Sequence, residues 1–322
     1  LPRGGGGGGV PPKTPPLAPF GFAPTPFVVA TGGLLLWLFV AWQRRRERAG
    51  TDPLVHLDLF RIPTLRAGLQ SLLAQNLILL GVFFTIPLYL QLVLGLDALE
   101  TGVRMLPVSV AMFVAAIAGA RLRTRFAVRT VVRAGFGSTI LAILWLLSTV
   151  EPTLLEFRFA LAMTLLGIGM GLIASQLGDV VQSSVDASGR SEAGGLQYTA
   201  MQLGSAVGVA LIGAIVLSGL VSNFLTQVEG DPRVPPTVVA QTTIAVTEGV
   251  SFVSAEQVRR VATEAGLEPA EVDALVDNYA AAQLFALKSG LLACMLLALL
   301  TVPATRRLPT DRPVPTGAPE MA

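Results

Sequence analysis

The fold class this sequence predicts is an all-α integral membrane protein with about seven transmembrane helices, and three observations predict it. Of 322 residues, 52% are hydrophobic and only 14% are charged, with a mean hydropathy of +0.65, whereas an average soluble domain carries about 25% charged residues. The apolar residues gather into runs of about 20, the length that crosses a hydrocarbon core of about 30 Å. The arginines cluster between alternate runs instead of being scattered over a surface.

The same composition excludes other classes. Cys294, the single cysteine, lies inside an apolar run, so neither a disulfide framework nor a cysteine metal site is available. The single histidine, His56, sits in a polar connection near Asp58 and reads as a solvated loop residue, not a ligand. No metal and no cofactor are expected. The basic residues are not interleaved with aromatics, so nucleic acid is not an expected partner. An enzyme would need convergent nucleophile, base or metal ligands; one His, one Cys and no HExxH or GxSxG string argue against one.

Taken in order, residues 1–25 hold the glycine run Gly4 to Gly9 and many prolines, a composition that cannot build a core and is expected to be disordered. The first span runs from Pro26 to Trp42 and stops at Gln43, followed by Arg44, Arg45, Arg46 and Arg48. Trp37 and Trp42 suit an aromatic anchor near one face. With its basic loop, in which Asp52-Pro53 and Pro63 favour turns, this helix forms a linker unit over residues 26–66.

The second span, Ala67 to Val93, is rich in amides: Gln70, Gln75, Asn76 and Gln91. Polar side chains at membrane depth are costly and turn toward a bundle interior or a wet cavity; interhelical hydrogen bonding is the alternative role. Pro87 predicts a kink. After a turn from Gly95 to Gly102 comes the third span, Val103 to Ala120, then a basic connection with Arg121, Arg123, Arg125, Arg129 and Arg133. The fourth span covers Ala134 to Val150, and the fifth Phe157 to Gln176, where Gly167, Gly169 and Gly171 form a small-residue strip suited to close helix packing.

A polar connection with Asp179, Asp186 and Arg190 leads to the sixth span, Leu196 to Leu220, whose Gly204 and Gly208 are a second packing signature. Residues 221–278 are expected outside the membrane and hold nine of the 21 acidic residues. There, Ser254 with Gln257 makes a capping box, Gly266 can stop that helix, and Pro269 can open the next. The last span is Ala281 to Val302, and residues 304–322 read as a disordered tail. With the connections after spans one, three and five and the tail on one side, that side holds 15 of the 23 Lys and Arg. By the positive-inside rule it is cytoplasmic, which puts the C-terminus inside.

Several strings carry a resemblance: PLVHLDLFR at Pro53 to Arg61, IPLYLQLVLGLDALETGVRMLP at Ile86 to Pro107, LLGIGMGL at Leu165 to Leu172, and GGLQYTAMQLGSAVGVALIG at Gly194 to Gly213. In this order and spacing the chain resembles, from Pro26 to Arg307, the C-terminal half of a major facilitator superfamily transporter of the 14-helix drug:proton antiporter type, the EmrB/QacA group. The resemblance implies a six-helix transporter bundle over residues 67–303, with 221–278 as an extracytoplasmic insertion and the linker helix before it. It implies a multi-pass protein of the cell membrane, a secondary active, proton-coupled exporter of drugs or small amphipathic compounds. Its partners would be the lipid bilayer, the substrate, protons and a missing N-terminal half; this chain is expected to be a fragment. The alternative is an inactive or pairing-dependent half with no transport of its own.

In such a half, Gln75, Asn76, Phe83, Phe84, Tyr89 and Gln91 offer amide and aromatic surface to an apolar, often cationic compound, although helical spacing does not put all six on one face. Arg121, Arg125 and Arg129 are candidates for a cytoplasmic gate, or for setting topology alone. The connection departs from the family's cytoplasmic loop: Arg125 matches its first arginine, but Thr124 stands where an acid is expected, Ala120 and Ala127 where glycines are, and Val128 at the second arginine. The family's best-known acidic residues lie in the half not present, so no coupling residue is assigned.

Overall fold

The computed structural model describes residues 25–50, 56–239, 242 and 252–310. The expectations for residues 1–24, for the Asp52-Pro53 turn and for residues 311–322 lie outside the described residues. Among the described residues all regular structure is helical, and seven helices are long and apolar enough to cross a membrane. The chain divides into two compact units, residues 1–58 and 59–322.

The first unit holds α1, Thr25–Arg48. Its 24 residues rise about 36 Å at 1.5 Å each, enough to span. The Phe39 and Trp42 rings lie 6.5 Å apart, and the Arg46 guanidinium sits 5.2 Å over Trp42. That cation–π contact ties the aromatic anchor to the arginine end of the span.

The second unit begins with α2, Pro63–Leu88, which passes into a π-helical turn at Tyr89–Val93 just beyond Pro87. Proline has no N–H to give back along the helix, and the wider turn absorbs the break. Next come α3 (Ala98–Leu122), α4 (Val128–Thr149), α5 (Glu156–Ser183) and α6 (Arg190–Gly230). A short α7 (Ala255–Glu264) and α8 (Pro269–Thr301) follow, and α8 runs into a 3₁₀ turn, Val302–Arg307.

The packing pairs are α3 with α5, α2 with α6, α4 with α5, α8 with α2, α6 with α8, α4 with α8, and α2 with α5. Exchange α2, α3 and α4 for α5, α6 and α8, and these pairings map onto one another except α6 with α8, whose counterpart, α3 with α4, is not a packed pair. With that exception the pairing is that of two three-helix repeats, a recurrent construction in membrane proteins. Within it Ile78, Val82, Ile86, Phe136, Leu146, Phe159, Met163 and Leu166 are fully buried.

Glycines set the closest approaches. On α5, Gly167 and Gly171 lie directly against the Val108 and Met112 carbonyls of α3. On α6, Gly204 and Gly208 face the Leu73 and Leu77 carbonyls of α2; a Cβ on Gly208 would stand 2.5 Å from the Leu77 oxygen. Across α4 and α5, a Cβ on Gly169 would lie 2.7 Å from the Gly135 oxygen. Lipid provides no hydrophobic drive between helices, so this van der Waals contact, together with hydrogen bonds between helices, holds them together.

Helix ends differ from the sequence expectation in several places: α4 starts at Val128 and not Ala134, α5 runs to Ser183 and not Gln176, and α6 starts at Arg190 and not Leu196. The third helix starts at Ala98, not Val103, because Asp97 accepts from the Glu100 amide at 2.7 Å while the Glu100 carboxylate accepts from the Asp97 amide at 3.2 Å. That reciprocal pair satisfies two free donors of the first turn. The sixth helix extends to Gly230 and the last starts at Pro269. Both stay helical past the lipid-length runs because Phe224 packs edge-to-face on Tyr279 at 5.4 Å and Val228 and Leu275 remain buried. Order also persists beyond residue 304, since Thr305 and Leu308 are buried. The capping box of Ser254 and Gln257 opens α7, and Gly266, at φ +77°, follows its end as the sequence suggests.

Candidate functional site

The helix α2 carries all the expected wall residues except Tyr89 and Gln91, which sit on its π-helical continuation. An α-helix turns 100° per residue, so residues seven or eight apart share a face and adjacent ones do not. Asn76, Phe83 and Gln91 fall on one side and Phe84 beside them; Gln91 is exposed and the other three are half-buried. Gln75 and Tyr89 fall on the opposite side and are buried.

Their hydrogen bonds follow this division. Gln75 Nε2 donates to the Met170 carbonyl of α5 at 3.1 Å. The Tyr89 hydroxyl donates to the Glu151 carbonyl at 2.7 Å, with the Thr149 carbonyl 3.2 Å away, and accepts from the Glu151 amide at 3.3 Å. These two residues, expected with the others, are taken up in holding α2 to α5 and to the turn after α4. Asn76 Nδ2 bonds only locally, to the Leu72 carbonyl at 2.9 Å, which leaves its amide oxygen on the accessible side. Phe84 reaches α6, where a Cβ on Gly213 would be 3.5 Å from its Cζ.

At the arginine-rich end, Arg121 and Arg125 are exposed and make no ion pair among the described residues. The carboxylate contact is made instead by Arg123, which pairs with Asp179 near the end of α5. Asp179 falls within the helix and not in the connection after it, the reason the pair was not legible in sequence. Arg129 stands apart from these and lines an open cleft with Arg133. At the other end Arg104 of α3 donates to Glu156, the first residue of α5, at 2.8 Å.

The ends of α6 and α8 away from the arginine-rich end are clamped by charge. Arg233 donates to Asp231 at 2.8 Å and to Asp277 at 3.1 Å, and Asn278 donates to Asp231 at 2.9 Å. The Arg233 hydrogen bonds hold the Asp231 carboxyl well below the usual carboxylate range, and Asp231 in turn raises Arg233. In the same region the Val253 carbonyl accepts from Tyr279 Oη at 3.2 Å and from Gln283 Nε2 at 2.6 Å. No cluster of three or more His, Cys, Asp or Glu able to hold a metal occurs among the described residues. This arrangement can contact a solute by amide hydrogen bonds and ring faces, and it offers no acid–base or nucleophilic constellation.

Comparison with known proteins places these features in a family. A sequence profile described as Major Facilitator Superfamily matches residues 6–209, more than half of the chain. The tetracenomycin C resistance and export protein of Streptomyces glaucescens is 34% identical over 173 residues, 54% of this chain and 32% of that protein. The multidrug efflux pump LfrA of Mycolicibacterium smegmatis is 28% identical over 179 residues, 56% of this chain and 35% of the pump. The methyl viologen resistance protein SmvA of Salmonella typhimurium is 30% identical over 191 residues, 59% of this chain and 37% of that protein. The matched stretch thus spans about a third of the length of these relatives.

Proposed function

We propose that this chain, which belongs to the Major Facilitator Superfamily, is the C-terminal part of a 14-helix secondary active exporter. Its cargo would be drugs or small amphipathic compounds, moved against proton flow. It is a multi-pass membrane protein and a transporter by family, not an enzyme. The observation that carries the reading is the similarity to relatives whose names describe export, efflux and resistance.

In this reading residues 26–66 are the linker helix and its basic loop, residues 67–303 the six-helix bundle, and residues 221–278 an extracytoplasmic insertion. The arginine-rich end faces the cytoplasm of the cell membrane. Asn76, Phe83, Phe84 and Gln91 supply one wall of the substrate path, while Gln75 and Tyr89 hold that wall in place. Helices α3 and α6 support a missing N-terminal partner: in their most apolar stretches only 17% and 28% of residues are buried, against 39–50% for α2, α4, α5 and α8. On α3 the open face reads Val103, Leu106, Val110, Phe113 and Ile117, spaced by three and four.

A second reading follows from the length of the match, about a third of each relative: a half-bundle with no transport of its own. Efflux of a cationic dye separates the two. The chain is expressed in a pump-deficient strain alone and joined to the N-terminal half of a relative. The exporter reading expects proton-dependent efflux from the joined form, and efflux from the chain alone would contradict the second reading. Efflux from neither form, with both in the membrane, contradicts the exporter reading.

A further inference from the structure

A cleft of about 590 Å³ opens at the arginine-rich end of α4, lined by Ala127, Arg129, Thr130, Arg133, Ala134 and Thr310. One wall is the segment after α8, folded back across the start of α4. The Pro309 carbonyl accepts from the Arg129 amide at 3.3 Å, and Thr305 Oγ1 accepts from Arg133 Nε at 3.0 Å. Leu308 is buried and anchors the fold-back.

The cleft has cations and no described anion. Arg129 Nε is buried without a hydrogen-bond partner, and Arg133 is bonded only to a neutral hydroxyl. The nearby acid at this end whose contact is described, Asp179, belongs to Arg123. An arginine fork left open in this way fits the oxygens of a phosphate group.

Depth and shape say which phosphate. The uncharged apolar run of α4 begins at Ala134, after Arg129 and Arg133, so the first two turns of the helix precede it and lie at the headgroup level. Thr130, Ala134, Gly137, Leu141 and Leu144 recur at three and four residues and share one face. Ala134 is exposed, a Cβ on Gly137 would meet nothing within 4 Å, and Leu141 and Leu144 stand out 58% and 54% exposed. The small residues leave a shallow apolar trough running from the cleft toward the middle of the span.

We infer that this cleft and trough bind an anionic phospholipid, with the phosphate between Arg129 and Arg133 and one acyl chain along Ala134 and Gly137. Basic pockets at helix ends hold acidic headgroups for this electrostatic reason. The site depends on membrane placement and not on transport, so its failure would leave the export reading intact.

The test is native mass spectrometry of the full chain in detergent with equal amounts of phosphatidylglycerol and phosphatidylcholine. Preferential retention of phosphatidylglycerol is expected. The double variant R129Q/R133Q should weaken it about tenfold, as the loss of one or more charge-assisted contacts requires. Gly137→Leu, which fills the trough and leaves both arginines in place, should also weaken it. Arg158→Gln, at the opposite end of the bundle, should not. Equal retention of the two lipids, or no change in the double variant, overturns the proposal. If glycerol 3-phosphate competes as well as the lipid does, the ligand is a soluble phosphate ester and the lipid assignment fails. If Asp311→Asn is needed before any lipid binds, the chain's own carboxylate is the resident anion and the assignment fails as well.

Discussion

Gln75 and Asn76 are neighbours in sequence with the same chemistry, yet about 100° of helical rotation gives them different work. Gln75→Leu and Tyr89→Phe each delete a buried hydrogen bond between elements, so each should lower stability by about 1 kcal/mol. Thermal unfolding in detergent reads this directly. Asn76→Ala and Gln91→Ala should stay within about 0.5 kcal/mol of the parent, as substitutions away from packed positions do. In a transporter joined to an N-terminal half, those two should instead change which compounds are exported. The amide richness of α2 was legible in the sequence, but the split between its two sides was not. It depends on where α5 and the turn after α4 come to rest, and those contacts are 60 or more residues away along the chain.

At the scale of the elements, the apolar runs gave every span because the bilayer fixes a length and the side chains report it. The ends were less legible. Asp97 to Glu100 is a capping signal that reads as a polar turn, and α6 and α8 continue outside the apolar runs because their outer ends pack on each other. The glycine strips make a contrast that can be measured. Gly204→Ala pushes a methyl into the Leu73 carbonyl of α2 and should cost about 1–3 kcal/mol by overpacking. Gly137→Ala meets open space and should be neutral or slightly stabilising, since alanine is the better helix former.

The clamp on α6 and α8 predicts a pH dependence of stated sign. Asp231 has a carboxyl held below its ordinary range by Arg233. Its contribution to stability is therefore fully present above the usual carboxylate range and fades as pH falls through and below it. Asp231→Asn should flatten the acid limb of a stability-versus-pH curve, with no change near neutrality in its slope. An acid limb identical in parent and variant would show that Asp231 carries no linked proton.

At the scale of the whole molecule, seven helices of membrane-spanning length stand with one end basic, and six of them pair, with one exception, as two three-helix repeats. The repeat pairing was not legible in the sequence, because it lies in which helices touch and not in any shared string of residues. The basic end was legible, since arginine placement is itself the topology signal. Labelling of single cysteines from the two aqueous sides, in a Cys294→Ala background, tests this most directly. Thr124→Cys and Ser188→Cys lie in the arginine-end connections and Thr153→Cys in the turn at the other end, and all three positions are exposed. Thr124→Cys and Ser188→Cys should react together from the cytoplasmic side and Thr153→Cys from the opposite side. Reaction of Thr124→Cys and Ser188→Cys from opposite faces would contradict that topology.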